Sequence, residues 1–121
     1  MRYVDGYVLP VARKHLGLYL SAARKAGRVW RDHGALEYRE CVGEDLKVKW
    51  GALFPRVVRA KPGETVVFSW VVFKSRAHRD RVNAKVMKDK RMDAMMEKGK
   101  DSMPFDMKRM VYGGFKVMVD A

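Results

Sequence analysis

The sequence has one cysteine, Cys41, so no internal disulfide can form, and a reducing compartment, the cytoplasm, is the expected setting. Histidine is scarce: His15, His33 and His78 are the only three, and none lies at metal-ligand spacing from another. No apolar run approaches the roughly 20 residues that span a bilayer. The opening stretch MRYVDGYVLPVARK carries charge but no apolar core leading to a small-residue cleavage site, so neither membrane anchor nor signal peptide is expected. The chain has no glycine-rich phosphate loop, dinucleotide fingerprint or nucleophile elbow, and no cofactor is called for. Helix-turn-helix, zinc-finger and ribonucleoprotein patterns are missing as well. Acidic residues are few, 14 against 26 lysines and arginines, which leaves a net charge of +12. That excess favours non-specific contact with nucleic acid or anionic lipid, but it carries no specificity.

What remains is enough for one core. With 48% hydrophobic and 33% charged residues in 121, the chain reads as a single globular domain over 1–121. Residues 3–11 alternate as a strand that Pro10 should close. Residues 12–33 form an amphipathic helix, with Ala12, Leu16, Tyr19, Leu20, Ala23, Gly27 and Trp30 inward and Arg13, Lys14, Arg24, Lys25, Arg28 and Arg31 outward. Gly34 ends it. A strand follows over 35–42, and 54–60 reads as a short extra strand. The KPGE at 61–64 suits a type II turn, and 65–73 is a strand. Ser75 caps a second helix reaching about Lys88, with a further turn or two around 91–96. A loop over 99–105 leads to a last strand at 110–119.

The order β-α-β-β-α-β predicts an α+β, ferredoxin-like subunit, an antiparallel sheet with its helices on one face. The other face should then be polar, yet TVVFSWVVF is apolar on both sides. The last strand likewise sets Val111, Phe115, Val117 and Val119 against Tyr112 and Met118. Exposing a face of such side chains is costly at roughly 1.5–3 kcal/mol each. A homodimer with sheets packed face to face is therefore expected.

The segments YVDGYVLPV, HGALEYRECVG, KPGETVVFSWVVFKSRAHRDRVNAKVMKD, MPFDMKRM and YGGFKV resemble the YbaA-like family of small bacterial proteins of unknown function, over nearly the whole chain. The resemblance implies a dimeric α/β barrel, in a superfamily that also holds NIPSNAP-like proteins and cofactor-free antibiotic-biosynthesis monooxygenases. It supplies no activity.

The candidate site residues lie mainly on the second helix and the outer strands. Arg79 and Asn83 stand one turn apart beside the inward Val82 and Val86, and an inward guanidinium needs an acid, with Asp5, Glu37 and Glu40 in reach. Asp5 is mid-strand, where a carboxylate is unusual and either pairs with arginine or faces a pocket. His78, at the helix edge, has the proton affinity for acid–base work, and Tyr112 precedes Gly113-Gly114, which marks either room for a ligand or a close approach. The expected pocket is thus Asp5, Arg79, Asn83, Tyr112 and His78, between sheet and helices, for a small molecule. Two alternatives are a nucleic-acid-associated protein using its basic helix faces and a cofactor-free monooxygenase- or isomerase-like enzyme. Met92, Met95, Met96, Met103, Met107 and Met110 contain thioethers that suit copper, but without interleaved His or Cys they read as packing.

Overall fold

In the computed structural model the backbone is described for residues 1–99 and 105–121, and side chains for those residues apart from 95–99. The middle of the expected loop (100–104) and the packing of Met95, Met96 and Met103 therefore lie outside the described residues. Four strands, β1 (Tyr3–Ala12), β2 (Glu37–Val42), β3 (Glu64–Phe73) and β4 (Val111–Lys116), form one antiparallel sheet in the order β2-β3-β1-β4. With helices α1 (Leu16–Asp32) and α3 (Arg76–Met87) this is the ferredoxin-like arrangement. The other α-helices among the described residues are α2 (Phe54–Val57) and α4 (Lys90–Gly99).

Local chemistry explains most of the boundaries. Ser75 is extended and its hydroxyl accepts the His78 N–H at 3.1 Å, the N-cap that starts α3. At 61–64 Gly63 takes φ +84° and the Glu64 N–H donates to the Lys61 carbonyl at 3.0 Å, the turn its Pro-Gly pair predicts. Pro10, however, does not close β1. It pairs with Val66 inside the strand, and β4 runs alongside β1 only as far as Val8. A proline is tolerated there because the second neighbour strand has ended. The extra strand expected over 54–60 is instead the short helix α2, which Pro55 favours by presetting the first-turn φ. β4 is shorter than expected: Val117 and Val119 lie beyond it, though the Val117 N–H still donates to the Arg2 carbonyl at 3.0 Å.

Strand register sorts the side chains. Tyr3, Asp5, Tyr7, Leu9 and Val11 of β1 share the helix side with Val67, Ser69, Val71 and Phe73 of β3. Two apolar clusters form there. One joins Tyr3, Val29, Val71, Phe73, Val82 and Val86, the other Leu9, Val11, Tyr19, Ala23 and Val67, and Tyr7 packs against both. The opposite face carries Phe68 and Phe115, 43% and 62% exposed, with Val111. α2 covers only one end of it, where Phe54 meets Phe68 edge-on at 6.1 Å.

Two glycines mark close approaches. A Cβ on Gly114 would strike the Tyr3 ring, so this glycine makes room for a side chain of β1. On α1, a Cβ at Gly27 would lie 2.8 Å from Cδ1 of Tyr38. Arg109 fastens the turn before β4, making paired bonds to Glu64 at 2.7 and 2.9 Å and a third to Asp106 at 3.1 Å. These bonds hold the Glu64 carboxyl down at about 2.

Two outcomes follow. Alanine in place of a helix-interior glycine ordinarily stabilises by roughly 0.5–1 kcal/mol, but Gly27→Ala should destabilise by about 1 kcal/mol because the Tyr38 ring cannot yield. Urea unfolding midpoints read the sign. Glu64, with its pKa depressed in the folded state, contributes stability above the usual carboxylate range that is lost as pH falls from about 4.5 toward about 2. In Glu64→Gln, thermal melts across that window should show a shallower acid decline.

Candidate functional site

The helix side of the sheet is apolar at both ends and polar in the middle. Register aligns Tyr112 of β4, Tyr7 of β1, Ser69 of β3 and Glu40 of β2 in one row across all four strands. Asp5 lies beside it, one pleat along β1. α3 lowers Arg79 and Asn83 onto this row because Val82 and Val86, 2% and 0% exposed, fix which side of the helix faces in.

Arg79 is the hub. Its Nη1 donates to Asp5 Oδ1 at 3.0 Å and to the Tyr112 hydroxyl at 2.9 Å, and its Nε donates to Asp80 at 2.8 Å. The guanidinium also sits 5.0 Å from the centre of the Tyr3 ring, a cation–π distance. Tyr7 and Tyr112 stack at 4.8 Å. Asn83 accepts the Trp30 indole N–H at 3.1 Å, which ties α3 to α1. The side chain of Asp5 is 0% exposed and that of Arg79 14%, while Tyr112 is half open, so the cluster is sealed at its floor and reachable at the β4 edge.

Asp5 Oδ2 has no hydrogen-bond partner among the described residues. Burial pushes the Asp5 carboxyl up, and the Arg79 charge, with Asn83 and Tyr112, only partly opposes this. Burial also raises the Tyr112 and Tyr7 phenols, each pushed further by the neighbouring Asp5. At neutral pH the site therefore presents neutral hydroxyls, a guanidinium and a carboxyl whose second oxygen is unclaimed. It can bind an oxygen through Arg79 and Tyr112, and it can accept a hydrogen bond or a proton at Asp5.

The structure thus brings Asp5, Arg79, Asn83 and Tyr112 together. His78 does not join them: its Nδ1 accepts the Lys74 N–H at 2.9 Å and its ring packs edge-on to Phe73. Burial, reinforced by Lys74, Arg81 and Lys85, lowers its pKa. Of the three acids weighed for Arg79, Glu37 accepts the Trp70 indole N–H at 2.9 Å on the opposite face, and Glu40 is held by Tyr19 and Tyr38, each hydroxyl at 2.7 Å. Sequence reasoning missed Tyr7, Ser69, Tyr19 and Tyr38 as companions. The available signal was the alternation itself, which puts Tyr7 and Ser69 on the same side as Asp5. A separate open cleft of about 460 Å³, lined by Met1, Arg2, Leu36, Lys74, Val117 and Asp120, contains none of these residues.

Because Asp5 holds its proton more tightly folded than unfolded, stability should fall as pH rises from about 3.8 toward its folded midpoint, then level off. A carboxyl-carbon NMR titration should place the Asp5 midpoint above the ordinary value. In Arg79→Met, which removes the strongest opposing influence, the midpoint should move higher still. A midpoint at or below the ordinary value would contradict this account.

The family described as a protein of unknown function, DUF1428, matches residues 2–107. The uncharacterized protein YbaA of Escherichia coli strain K12 is 41% identical over 120 residues, covering 99% of each chain, and the YbaA of Shigella flexneri is equally similar. No helix among the described residues is long and apolar enough to cross a membrane. By a match across most of its length and by full-length relatives at this identity, the chain belongs to the DUF1428 family.

Proposed function

We propose that the protein binds a small oxygen-bearing molecule between sheet and helices, with Arg79 and Tyr112 as donors, Asp5 as acceptor and Asn83 holding α3 in place. The unclaimed, fully buried Oδ2 of Asp5 beside Arg79 carries this reading. A buried polar atom left without a partner costs about 1–3 kcal/mol, and a ligand donor at that position removes the penalty. If chemistry accompanies binding, it is cofactor-free: Asp5 moves a proton while Arg79 holds the developing negative oxygen.

The working unit in this proposal is a homodimer joined through the open sheet face, in a reducing cytoplasm that suits the free Cys41. Phe68, Val111 and Phe115 are exposed there. The face's charged pair, Glu37 and Arg39, lies 3.8 Å apart and is self-neutralising, so two strongly basic chains can meet on it with little repulsion. The reading from another class is a nucleic-acid-associated protein, which the exposed Arg24, Arg28, Lys85 and Lys88 favour.

Native mass spectrometry of the purified protein should show a dimer retaining a small molecule, and Arg79→Ala or Asn83→Ala should lower retention about tenfold or more. Phe115→Lys should give a monomer in sedimentation. A fluorescent single-stranded RNA should bind weakly, and reversing the four basic residues should leave small-molecule retention unchanged. Steeply salt-dependent RNA binding that those reversals abolish, together with an empty wild-type pocket, would replace the proposal with the nucleic-acid reading.

A further inference from the structure

Gly6 of β1 and Gly113 of β4 are paired across the sheet, and nothing inside the subunit requires a glycine at either position. Neither has a positive φ, unlike Gly34, Gly51 and Gly63. A Cβ at either would meet only the Phe115 ring, no nearer than 3.6 Å, which is ordinary van der Waals contact. Gly114 differs, since its Cβ would strike Tyr3. Glycine inside a strand costs about 0.5–1 kcal/mol relative to alanine, and it usually marks the close approach of another group. The contact with Phe115 puts both missing side chains on the open face, where Trp70 stands opposite Gly6 in the register. A strip of bare backbone therefore crosses two strands there, between Phe115 and Trp70.

The same face has an aromatic side chain without a seat. Residues 43–53 run without regular structure from β2 to α2, and Trp50 on this arm is 83% exposed. The arm is rooted on the open face, because Phe54 just beyond it packs on Phe68. Trp50, Phe54, Phe68 and Phe115 leave on the order of 500 Å² of aromatic surface in water, at 150–250 Å² per side chain. A standard interface takes roughly 800 Å² from each partner, and the exposed Val57 and Val111 add to the total.

We infer that in the dimer each chain's Trp50 seats on the partner's Gly6–Gly113 strip, against the partner's Phe115. A second copy is the occupant because knob and strip lie on one face of one chain, as a self-complementary two-fold contact requires. The apolar area matches what a stable dimer needs, and the face's ion pair, Glu37 with Arg39, is internally neutralised. Gly6 and Gly113 adjoin Asp5 and Tyr112 along their strands, so the partner's indole braces the sheet directly behind the Arg79 site. This inference rests on the dimer proposed above and names the contact that holds it.

Sedimentation and tryptophan fluorescence of the full chain test it. Wild type should be a dimer, and Trp50→Ala and Gly113→Val should each raise its dissociation constant about thirtyfold or more, the effect of losing an interface anchor. Gly113→Val is the sharper variant: valine suits a strand and the subunit has room for its Cβ, so its circular dichroism should match wild type. The emission of Trp50, taken as wild type minus Trp50→Phe, should shift to the red when dilution separates the chains. A wild-type monomer overturns the dimer and the insertion together. A dimer that Trp50→Ala and Gly113→Val leave intact, while Phe115→Lys still dissociates it, overturns the insertion alone. So does a Trp50 emission that is equally exposed before and after dilution. Should either variant not fold, the emission comparison decides by itself.

Discussion

The desolvated pair of Asp5 and Arg79 fixes how the helix layer meets the sheet. A carboxyl with no exposure stands mid-strand in β1, and its cation reaches it from α3, 74 residues later in the chain. Breaking such a pair by removing one partner costs about 3–5 kcal/mol, because the survivor is left buried and unpaired. α3 therefore cannot slide or roll on the sheet without losing that bond. The same guanidinium steadies Tyr112 on the edge strand and covers the Tyr3 ring, so one side chain connects α3, β1 and β4. Trp30 donating to Asn83 extends the constraint to α1.

That anchoring explains why the two faces of the sheet differ. On the helix side the polar row separates two apolar clusters, and Tyr7 is the residue common to both. On the open side the exposed residues are mainly apolar, with one self-neutralising ion pair and the short helix α2 at one end. Exposed basic residues such as Arg24, Arg28 and Lys85 lie on the outer surfaces of α1 and α3. A face whose ion pair is self-neutralising, on a strongly basic molecule, is where a second copy meets least repulsion, and the proposed dimer uses it.

The strand alternation and the helix periodicity were legible because they follow from period and capping: Ser75, Gly63 and the inward valines of α3 sit where local chemistry puts them. Arg79, Asn83, Asp5 and Tyr112 were legible as a group because an inward arginine demands an acid. The choice of Asp5 over Glu37 and Glu40 was not, since it depends on strand order and on which pleat each acid occupies. His78 was named for its place at the helix edge and its proton affinity, but its ring folds back onto the N-terminal turn, where Nδ1 accepts the Lys74 N–H. Pro10 misled because a proline reads as a strand end unless the length of the neighbouring strand is known. The short helix at 54–57 was hidden by its apolar run, which fits a strand as well as a turn of helix.

A polar row through the middle of a core is a poor route to stability. Replacing buried ionic groups with packed apolar ones of similar volume is often neutral or stabilising, and the described residues form two modest apolar clusters. The row contains a carboxyl with an unclaimed oxygen and a carboxylate without a cation among the described residues. Each lowers stability compared with an apolar alternative, and both lie in the same stretch between sheet and helices. Structural bolts such as Arg109 on Glu64 show what the same chain does when stability alone is served: every nitrogen of that guanidinium has an acceptor. The contrast between the completed clamp and the incomplete row is the physical reason to place function on the row, where a ligand supplies the missing partners.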